Sequence, residues 1–474
     1  MQDIGMRLAT REQIELIDQA TLKQLKITSS DLIARASAAL SEKFLSLEFV
    51  KSLPVQARVG IWCGPGKNGA DGRGMGKLLM SRFKIQVLDE CNWAVRDFDC
   101  IIDAYFGIGL NRAVPAEVAV QIEKINRSQV PVIAIDVPSG LDANRGLILG
   151  SAVRAMYTLT ILPAKPGLFL NDGPKICGRI RGVDIGIPEN IFDECAKDVS
   201  LFGAREARLL LKPRPAKGNK TSFGNLLIIA GSRGMEGAAL LTAEAAARMG
   251  CGYVSLCSFS DDVFKMAKPD FLRLSPADFL SSDLKKYSAV VIGPGLGVNE
   301  KSGAMIEHLH KNHGKVLADA DALTSLAKIS KVPLPTEWLL TPHAGELARL
   351  LHAPAKDLEN DRLGSVQRAA HELNAHILFK GFRTVLGKTG RSWVVGSGNV
   401  ALAKAGTGDV LAGFIGSLMA QGHSTQDAAL LGAYLHGRIA DDWLRRGHST
   451  RTLMASDLAE LLDASLRSLK KSGS

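Results

Sequence analysis

The sequence predicts an α/β protein of two domains, each with a largely parallel sheet that helices cover on both faces. Short apolar runs such as ARVGIWC and VPVIAID alternate with segments of helical periodicity, which is the pattern of buried parallel strands. Several runs end in an aspartate and a glycine-rich loop, as in VPVIAIDVPSG. NLLIIAGSRGMEGAA begins a second series of strand, glycine loop and helix, which indicates the second domain.

Length and composition set the domain organisation. The chain has 474 residues, and a prior of about 150 residues per domain suggests about three domains. Its composition, 46% hydrophobic and 22% charged, is that of a globular chain with large cores, which excludes disorder and a disulfide-dependent small fold. A polar, proline-rich stretch at 188–222 marks a change in composition. We therefore place two domains, at residues 1–203 and 204–474.

Charge and cysteine usage limit the partners and the compartment. The formal net charge of +10 favours anionic partners such as phosphates. The basic residues are scattered and not interleaved with aromatics, so we expect no nucleic-acid partner. Seven cysteines without a C-x-x-C pair predict reduced thiols, with neither a disulfide framework nor a zinc site. The acidic N-terminal segment and the lack of any run near ~18 apolar residues exclude a signal peptide and a membrane span, so we expect a cytoplasmic protein.

The first half begins with two helices and then a strand. Thr10 followed by Gln13 predicts a capping box at the start of the first helix, and the second helix is expected over about 30–47. After ARVGIWC, the glycine-rich GPGKNGADGRG is interpreted as a loop, with a helix over about 74–82 and the strand KIQVLD behind it. The link from KIQVLDE to the strand DCIIDAYFG is short, so we expect no covering helix there.

The second half continues the strand series and ends in helices. AVVIGPGLG, KVLADADAL, EWLLTPHAGE, AHILFKGFRT and SWVVGSGN repeat the pattern of apolar run and loop. GTGDVLAGFIGSLMAQG then predicts a helix whose apolar stripe comprises Val410, Leu411, Phe414, Ile415, Leu418 and Met419. DAALLGAYLHGRIADDWL follows with similar spacing.

The segment AKAGTGDVLAG carries the clearest chemical signal. Gly406 and Gly408 permit a tight turn into a helix, and amides at a helix start form an anion hole suited to a transferring phosphoryl group. Asp409 stands where its carboxylate could take a proton from a substrate hydroxyl. A helix cap is the alternative role for this aspartate, and the segment alone leaves both open.

This segment resembles the ribokinase-like superfamily, in which the aspartate is the catalytic base. TPHAGE stands where those kinases carry an Asn-x-x-Glu motif that helps place magnesium; His343 replaces the asparagine and Glu346 remains. Together with AGSRGMEGAALL, VVIGPGLG, VLADADAL and LFKGFRTV, these segments closely resemble the ADP-dependent NAD(P)H-hydrate dehydratase family over about 205–470. The resemblance implies a ribokinase-like α/β fold for the second domain and Mg²⁺ near Glu346.

The implied substrate is NADHX or NADPHX, the coenzyme hydrated at C6 of the nicotinamide. ADP would phosphorylate the hydroxyl and phosphate would then leave, regenerating NAD(P)H with AMP and phosphate; hydroxide is a poor leaving group and phosphate a good one. The residues that would surround the nucleotide are Lys380, Gly381, Phe382, Arg383, Thr384 and Gly408. Those that would contact the hydrated coenzyme are Ala238, Gly297, His343 and Asp409.

Two further features concern the same half. Asp319 and Asp321 end a predicted strand, and capping and loop stability are favoured over chemistry for both. Family members usually carry Ser-His-Lys-Gly-Asp-Phe-Gly before the first strand, whereas this chain has GNKTSFG at 218–224. If this segment touches the substrate, its affinity is expected to differ, while activity is expected to remain because the Asp409 segment is intact.

The loop GPGKNGADG matches neither the Gly-x-Gly-x-x-Gly register nor a P-loop. Oxygens beside Asp71 suit a monovalent cation or a ribose, and the loop amides suit phosphate. With DAYFGIGL, IDVPSGLDANRG and LPAKPGL, the loop resembles the NAD(P)H-hydrate epimerase domain over about 6–195. The resemblance implies a Rossmann-like three-layer α/β/α domain that interconverts the R and S hydrates, so that an S-specific dehydratase repairs both.

The resemblance also assigns residues in this half. Potassium would be held by Asn68, Asp103 and Ser139. The hydrate would be bound by Lys67, Asn68, Gly69, Ala70, Asp71, Gly107, Ile108, Gly109, Leu110, Asn111, Arg112, Ala113 and Asp136. Asp136 is the candidate acid or base, and the alternative is a strand-end carboxylate that caps the Pro-Ser-Gly turn. Such repair enzymes often self-associate, so we expect a homo-oligomer.

The N-terminal loop departs from the family pattern at two positions. Lys67 replaces an asparagine and could pair with a substrate phosphate, and Ala70 replaces a glycine. The added methyl would cost binding if position 70 needed positive φ. Two alternatives therefore stay open: a dehydratase with a non-catalytic binding N-terminal half, and a ribokinase-like small-molecule kinase that accumulates a phosphorylated product.

Overall fold

The computed structural model describes residues 7–91, 93–329 and 333–471. It divides into two compact units, Met1–Leu201 and Phe202–Ser474, close to the boundary placed from the sequence. Parallel sheets with helices form both units, and the expected α/β class is confirmed.

The strands up to the division are β1 (Arg7–Leu8), β2 (Arg58–Cys63), β3 (Lys84–Leu88), β4 (Cys100–Ala104), β5 (Val132–Ile135), β6 (Tyr157–Ile161), β7 (Arg179–Val183) and β8 (Val199–Phe202). The helices of this part are α1 (Arg11–Leu25), α2 (Ser29–Ser46), α3 (Glu48–Lys51), α4 (Lys67–Leu79), α5 (Ala116–Ser128), α6 (Gly173–Ile176) and α7 (Glu189–Cys195). The main sheet has the order β3-β2-β4-β5-β6-β7, and its paired strands are parallel.

Two apolar clusters cover the faces of this sheet. One includes side chains of α2 and α4, and the other includes side chains of α5, so the unit has the expected three layers. The chain runs from β2 to β3 on one side and then returns to β4 on the other. Ligands of open α/β sheets bind beyond the carboxyl ends of the strands at such a switch point, which here lies between β2 and β4.

The strands of the second unit are β9 (Asn225–Ile229), β10 (Tyr253–Cys257), β11 (Leu272–Leu274), β12 (Ala289–Ile292), β13 (Val316–Ala318), β14 (Leu339–Leu340), β15 (His376–Phe379), β16 (Val385–Lys388) and β17 (Arg391–Val395). Its helices are α8 (Ala204–Leu210), α9 (Glu236–Met249), α10 (Asp261–Met266), α11 (Pro276–Ser281), α12 (Glu300–Asn312), α13 (Asp321–Leu326), α14 (Ala344–Leu351), α15 (Ala355–Asn360), α16 (Arg362–Leu373), α17 (Thr407–Ala420), α18 (Thr425–Arg445) and α19 (Ala455–Lys471).

These strands follow the order β17-β16-β15-β14-β13-β12-β9-β10-β11. Pairs from β11 to β15 are parallel, and β15, β16 and β17 form antiparallel pairs. The switch point of this sheet lies between β9 and β12, where the chain leaves for β10 and later returns. The loops after these two strands meet: Gly231 N donates to the carbonyl of Pro294 at 2.9 Å.

The helix after β2 begins earlier than predicted. The expected start was about residue 74, but α4 begins at Lys67, so most of the glycine-rich segment is helical. Ala70 lies in this helix and is absent from the residues with positive φ, so the strain expected there does not arise. Tertiary packing explains the glycines instead, because a Cβ at Gly69 would lie 1.8 Å from the carbonyl oxygen of Gly64.

Two other helices clarify the sequence patterns. The capping box of α1 is confirmed: Thr10 Oγ1 accepts from Gln13 N, and Gln13 Oε1 accepts from Thr10 N at 3.0 Å. The predicted stripe of α17 is too narrow, because this helix is buried on every side beyond its first turn. Across the described ranges, no helix combines the length and apolarity needed to cross a bilayer. The seven cysteines are free thiols, as expected.

Candidate active sites

A cavity of about 530 Å³ lies within the first unit, at the switch point of its sheet. The predicted substrate-binding residues on its wall are Lys67, Asn68, Asp71, Gly107, Ile108, Gly109, Leu110, Asn111, Arg112 and Asp136. Gly69, Ala70 and Ala113, which were predicted with them, do not line it. The first two lie in α4, and Gly69 packs against the backbone at Gly64.

Asp71 is a buried carboxyl group on the cavity wall. Its Oδ1 has no hydrogen-bond partner among the described groups. Burial raises the pKa of Asp71 to about 8, and the nearby carboxylates of Asp136 and Asp18 act in the same direction. Lys67 and Lys165 oppose this rise without cancelling it. Asp71 is therefore positioned to carry a proton at neutral pH.

Asp136 follows β5 and has a φ of +63°, a conformation that non-glycine residues adopt mainly where the surrounding structure imposes it. Its Oδ1 accepts hydrogen bonds from Lys165 Nζ at 2.5 Å and from Ile161 N at 3.1 Å. These bonds come from the last residue of β6 and from the segment after it, and not from the Pro-Ser-Gly turn. This argues against the alternative that Asp136 only caps that turn.

Lys165 is a residue that the sequence interpretation missed as a site residue. Its side chain is only 1% exposed, and its Nζ also donates to the carbonyl of Ile161 at 2.7 Å. A lysine is almost never fully buried unless it is paired. The available signal was its place in LPAKPGL, a segment quoted for the resemblance, but its partner could not be read from that segment.

Asp103, at the end of β4, joins the loops after β2, β4 and β5. Ser139 donates to it twice, from Oγ to Oδ1 at 2.6 Å and from N to Oδ2 at 2.8 Å. Phe106 N donates to Ser139 Oγ at 2.8 Å, and Asn68 Nδ2 donates to the carbonyl of Phe106 at 3.0 Å. Burial raises the pKa of Asp103 to about 6, although the hydrogen bonds from Ser139 lower it. No described cationic side chain contributes to lowering this pKa. The predicted potassium residues therefore form an oxygen-rich cluster around a buried carboxyl group.

Asp409 lies in the first turn of α17. Gly406, the N-cap residue, has a φ of +86°, and a Cβ there would also approach Leu241 to 2.8 Å. Burial raises the pKa of Asp409 to about 6, Asp319 adds to the rise, and Lys380 opposes it. The half-buried carboxylate thus shares a charge cluster with the buried Asp319 and with Lys380.

Lys380 is the cation of this cluster. Its Nζ donates to Asp319 Oδ1 at 2.6 Å and lies 3.9 Å from Glu346 Oε2. Burial opposes the charge on Lys380, but Asp319, Glu346 and Asp409 outweigh it and raise the pKa of the ammonium. A Cβ at Gly408 would lie 3.6 Å from Nζ. The backbone at the start of α17 therefore faces a buried cation.

The structure gives Asp319 and Asp321, for both of which loop stability was favoured, different partners. Asp319 is buried, and its carboxylate pairs with Lys380 in the Asp409 cluster, so its part is more than loop stability. Asp321 Oδ2 accepts from Gly297 N at 2.8 Å and so holds the loop after β12. Ala320, which separates the two aspartates, has a φ of +50°, and the chain turns there into α13.

His343 and Glu346 form the capping box of α14. His343 Nδ1 accepts from Gly345 N and Glu346 N, while Glu346 Oε2 accepts from His343 N at 2.7 Å. Glu346 is buried and connects this helix start to Lys380. His343 is thus linked to the Asp409 cluster through Glu346.

The predicted Ala238 lies in α9, where its Cβ is 3.0 Å from the position that a Cβ on Gly295 would take.

The predicted nucleotide loop follows β15. Phe382 is 44% exposed, Arg383 has a φ of +63°, and Thr384 Oγ1 donates to the carbonyl of Gly381 at 3.4 Å. The buried Arg362, which the sequence interpretation missed, donates from Nη2 to the carbonyls of Phe379 at 2.8 Å and Lys380 at 3.3 Å. Arg362 therefore anchors the backbone that carries Lys380.

Comparison with known proteins shows the family to which the chain belongs. Residues 226–463 match the family described as NAD(P)H-hydrate dehydratase, and residues 82–167 match the family described as YjeF-related protein N-terminus. The bifunctional NAD(P)H-hydrate repair enzyme of Moorella thermoacetica is 31% identical over 98% of both chains. The chain belongs to the bifunctional NAD(P)H-hydrate repair enzyme family. The corresponding Escherichia coli enzyme is 33% identical over 77% of this chain and 71% of its own length.

Solved structures support the fold and the family of the second unit. The ADP/ATP-dependent NAD(P)H-hydrate dehydratase of Bacillus subtilis, co-crystallised with ATP and Mg²⁺, is 31% identical with a TM-score of 0.52 and covers 57% of this chain and 98% of its own. A ribokinase-like superfamily protein of Enterococcus faecalis, 24% identical with a TM-score of 0.52, supports the fold alone. The expectations of a ribokinase-like second domain and of an enzyme family with lyase and isomerase activities are confirmed.

Proposed function

We propose that the second unit dehydrates the S form of NADHX or NADPHX with ADP, giving NAD(P)H, AMP and phosphate. The observation that carries this proposal is the charge cluster of Asp409, Lys380 and Asp319 at the start of α17. A phosphoryl transfer needs a base for the attacking hydroxyl and positive charge for the transferring group. Asp409 supplies the base, and Lys380 with the amides of α17 supplies the positive charge.

The reaction has two stages. Asp409 takes the proton of the C6 hydroxyl group. The hydroxyl oxygen bonds to the terminal phosphorus of ADP, and AMP leaves. The C6–O bond then breaks with loss of a proton from C5, so that the C5=C6 double bond returns and phosphate departs. The nucleotide loop from Lys380 to Thr384 holds the adenine nucleotide, with its backbone anchored by Arg362.

Magnesium fits the carboxylate set of this site. Asp319 and Glu346 are buried carboxylates near the same ammonium, and Mg²⁺ prefers carboxylate and phosphate oxygens. Bound there with the nucleotide, the ion would neutralise phosphate charge.

The dehydratase is tested with pure S-NADHX, the full chain and either ADP or ATP. The expected result is the return of reduced-nicotinamide absorbance with one AMP and one phosphate formed per NADH when ADP is supplied. A phosphorylated hydrate that accumulates without NADH would instead identify a small-molecule kinase. A rate with ATP that exceeds the rate with ADP would overturn the choice of nucleotide.

For the first unit, the proposed activity is interconversion of the R and S hydrates. The cavity at the switch point supports it, because two buried carboxyl groups, Asp71 and Asp136, share its wall. The oxygen atoms of Asn68, Asp103 and Ser139 fit a potassium ion, which would balance the charge of the buried Asp103 and fix the loops around the cavity.

The seven free thiols also support a cytoplasmic location.

The epimerase is tested by incubating pure R-NADHX with the full chain and separating the two hydrates. Formation of the S form well above the spontaneous rate is expected, and it should fall when potassium is replaced by a larger quaternary ammonium ion. If only the spontaneous rate appears, the first unit is a binding module without catalysis.

A further inference from the structure

The cavity of the first unit contains two carboxyl groups in unlike surroundings. Asp136 is matched by a buried cation, since its Oδ1 accepts from Lys165 Nζ at 2.5 Å and from Ile161 N at 3.1 Å. Asp71 has no such match: its Oδ1 is buried and makes no hydrogen bond to a described group. The nearest lysine on its own helix, Lys67, instead donates to Asp18 at 2.9 Å.

The charges around Asp71 favour its neutral form. Asp136 and Asp18 repel its carboxylate, Lys67 and Lys165 attract it more weakly, and burial adds the largest effect, so that its pKa rises to about 8. A carboxyl group without a cation partner beside one that is paired with a buried ammonium is the arrangement expected of an acid and a base in one site.

We propose that Asp71 donates the proton that releases the C6 oxygen of the hydrate and that Asp136 accepts the proton of the water that replaces it. This inference rests on the proposed epimerase function and gives its two carboxyl groups separate roles. Lys165 acts on Asp136 as a positioning residue, because its ammonium holds one carboxylate oxygen and leaves the other for the water. Asp71 lines the wall of the cavity, so the substrate can reach its carboxyl group, while its buried Oδ1 receives no hydrogen bond from a described group that would stabilise the ionised form.

The proposed step is balanced. The proton of Asp71 moves to the C6 hydroxyl oxygen, the C6–O bond breaks, and the lone pair of N1 forms an N1=C6 double bond as water leaves. Water on the opposite ring face then bonds to C6, the N1=C6 electron pair returns to N1, and the released proton passes to Asp136. Solvent restores both carboxyl groups after the product leaves. The acid is required because hydroxide is a poor leaving group and this step uses no phosphoryl donor.

The test compares Asp71→Asn, Asp136→Asn and Asp71→Glu in the full chain, with pure R-NADHX as substrate and separation of the hydrates as readout. We expect kcat for Asp71→Asn and Asp136→Asn to fall by about 10²–10⁴-fold, with KM changed only a few-fold. Asp71→Glu keeps a carboxyl proton and should recover part of kcat. Asp172→Asn is the matched control, because Asp172 is outside the cavity and pairs with Lys175 at the surface.

Each outcome bears on a different statement. If the wild-type chain does not exceed the spontaneous rate, the epimerase function itself fails. If the wild type is active and Asp71→Asn keeps kcat within about threefold, or changes KM alone, Asp71 is not the donor and the inference is overturned. An active Asp136→Asn overturns the acceptor role. Circular dichroism spectra and the thermal unfolding of each variant, compared with the wild type, report whether the first unit is folded.

Discussion

Asp409 is a half-buried carboxylate whose neighbours include Asp319, Asp321 and Lys380. As the proposed base, Asp409 must be ionised before it can accept a proton from the hydrate. Asp409→Asn keeps the size of the side chain and removes that capacity. We expect this variant to bind ADP as the wild type does and to lose dehydration by at least about 10²–10⁴-fold. Calorimetric ADP binding and NADH formation measure the two effects, and undiminished turnover would contradict the assignment.

The same residue predicts a pH dependence. Burial raises the pKa of Asp409 to about 6, and only the ionised carboxylate accepts a proton. The dehydration rate should therefore be level above pH ~7 and should fall as the pH drops through ~6, by up to tenfold per pH unit below it. Single-turnover rates with S-NADHX over this range test the sign. A rate that rises toward acid would show that the protonated form is the active one.

The ion pair of Lys380 predicts a stability effect. Lys380→Met leaves Asp319, Glu346 and Asp409 near one another without their cation, and breaking a buried pair from one side costs about 3–5 kcal/mol. The midpoint of denaturant unfolding should fall accordingly. Lys268→Met is the matched control, because Lys268 pairs with Glu244 at the surface and such pairs contribute only about 0–1 kcal/mol. Equal effects of the two substitutions would contradict the buried cluster.

At the scale of elements, α17 depends on close approach to α9. A Cβ at Gly413 would lie 2.3 Å from the carbonyl oxygen of Thr242 and 2.7 Å from Ala245 Cβ. The two helices therefore pack backbone to backbone where the sequence shows only small residues. This packing holds α17, and with it Asp409, in place against α9.

The close approach predicts opposite outcomes for two glycines. Gly413→Ala forces the helices apart, and overpacking of this kind costs about 1–3 kcal/mol. Gly303→Ala in α12 meets nothing within 4 Å, and it should stabilise by roughly 0.5–1 kcal/mol because alanine loses less entropy in a helix. Thermal unfolding of both variants measures the difference. A stabilising Gly413→Ala would show that the helices are not in contact at this point.

At the scale of the whole molecule, each site is complete within one unit. The first cavity is lined by residues between 14 and 187, and the second cluster is built from residues between 319 and 409. The proposed function therefore assigns two reactions in sequence to two separately assembled sites. The S hydrate formed in the first is the substrate of the second.

This separation predicts complementation. Asp136→Asn alone and Asp409→Asn alone should convert R-NADHX to NADH, with ADP present, at no more than the spontaneous rate. An equimolar mixture of the two should restore conversion, because the S hydrate released by one chain diffuses to the other. Reduced-nicotinamide absorbance follows the reaction. A mixture as inactive as its components would show that the hydrate does not leave the chain between the two steps.

The sequence by itself determined the α/β class, the positions of most strands along the chain, the capping box at Thr10 and the Asp409 motif. These depend on patterns within a few residues, namely apolar runs, glycine loops and caps. The tertiary structure decided the start of α4 and the roles of Asp319 and Lys165. Asp319 and Lys380 are 61 residues apart in the chain, and Asp136 and Lys165 are 29 apart. Such partners are chosen by the packing of strands and loops at a sheet edge, and no local pattern encodes that choice.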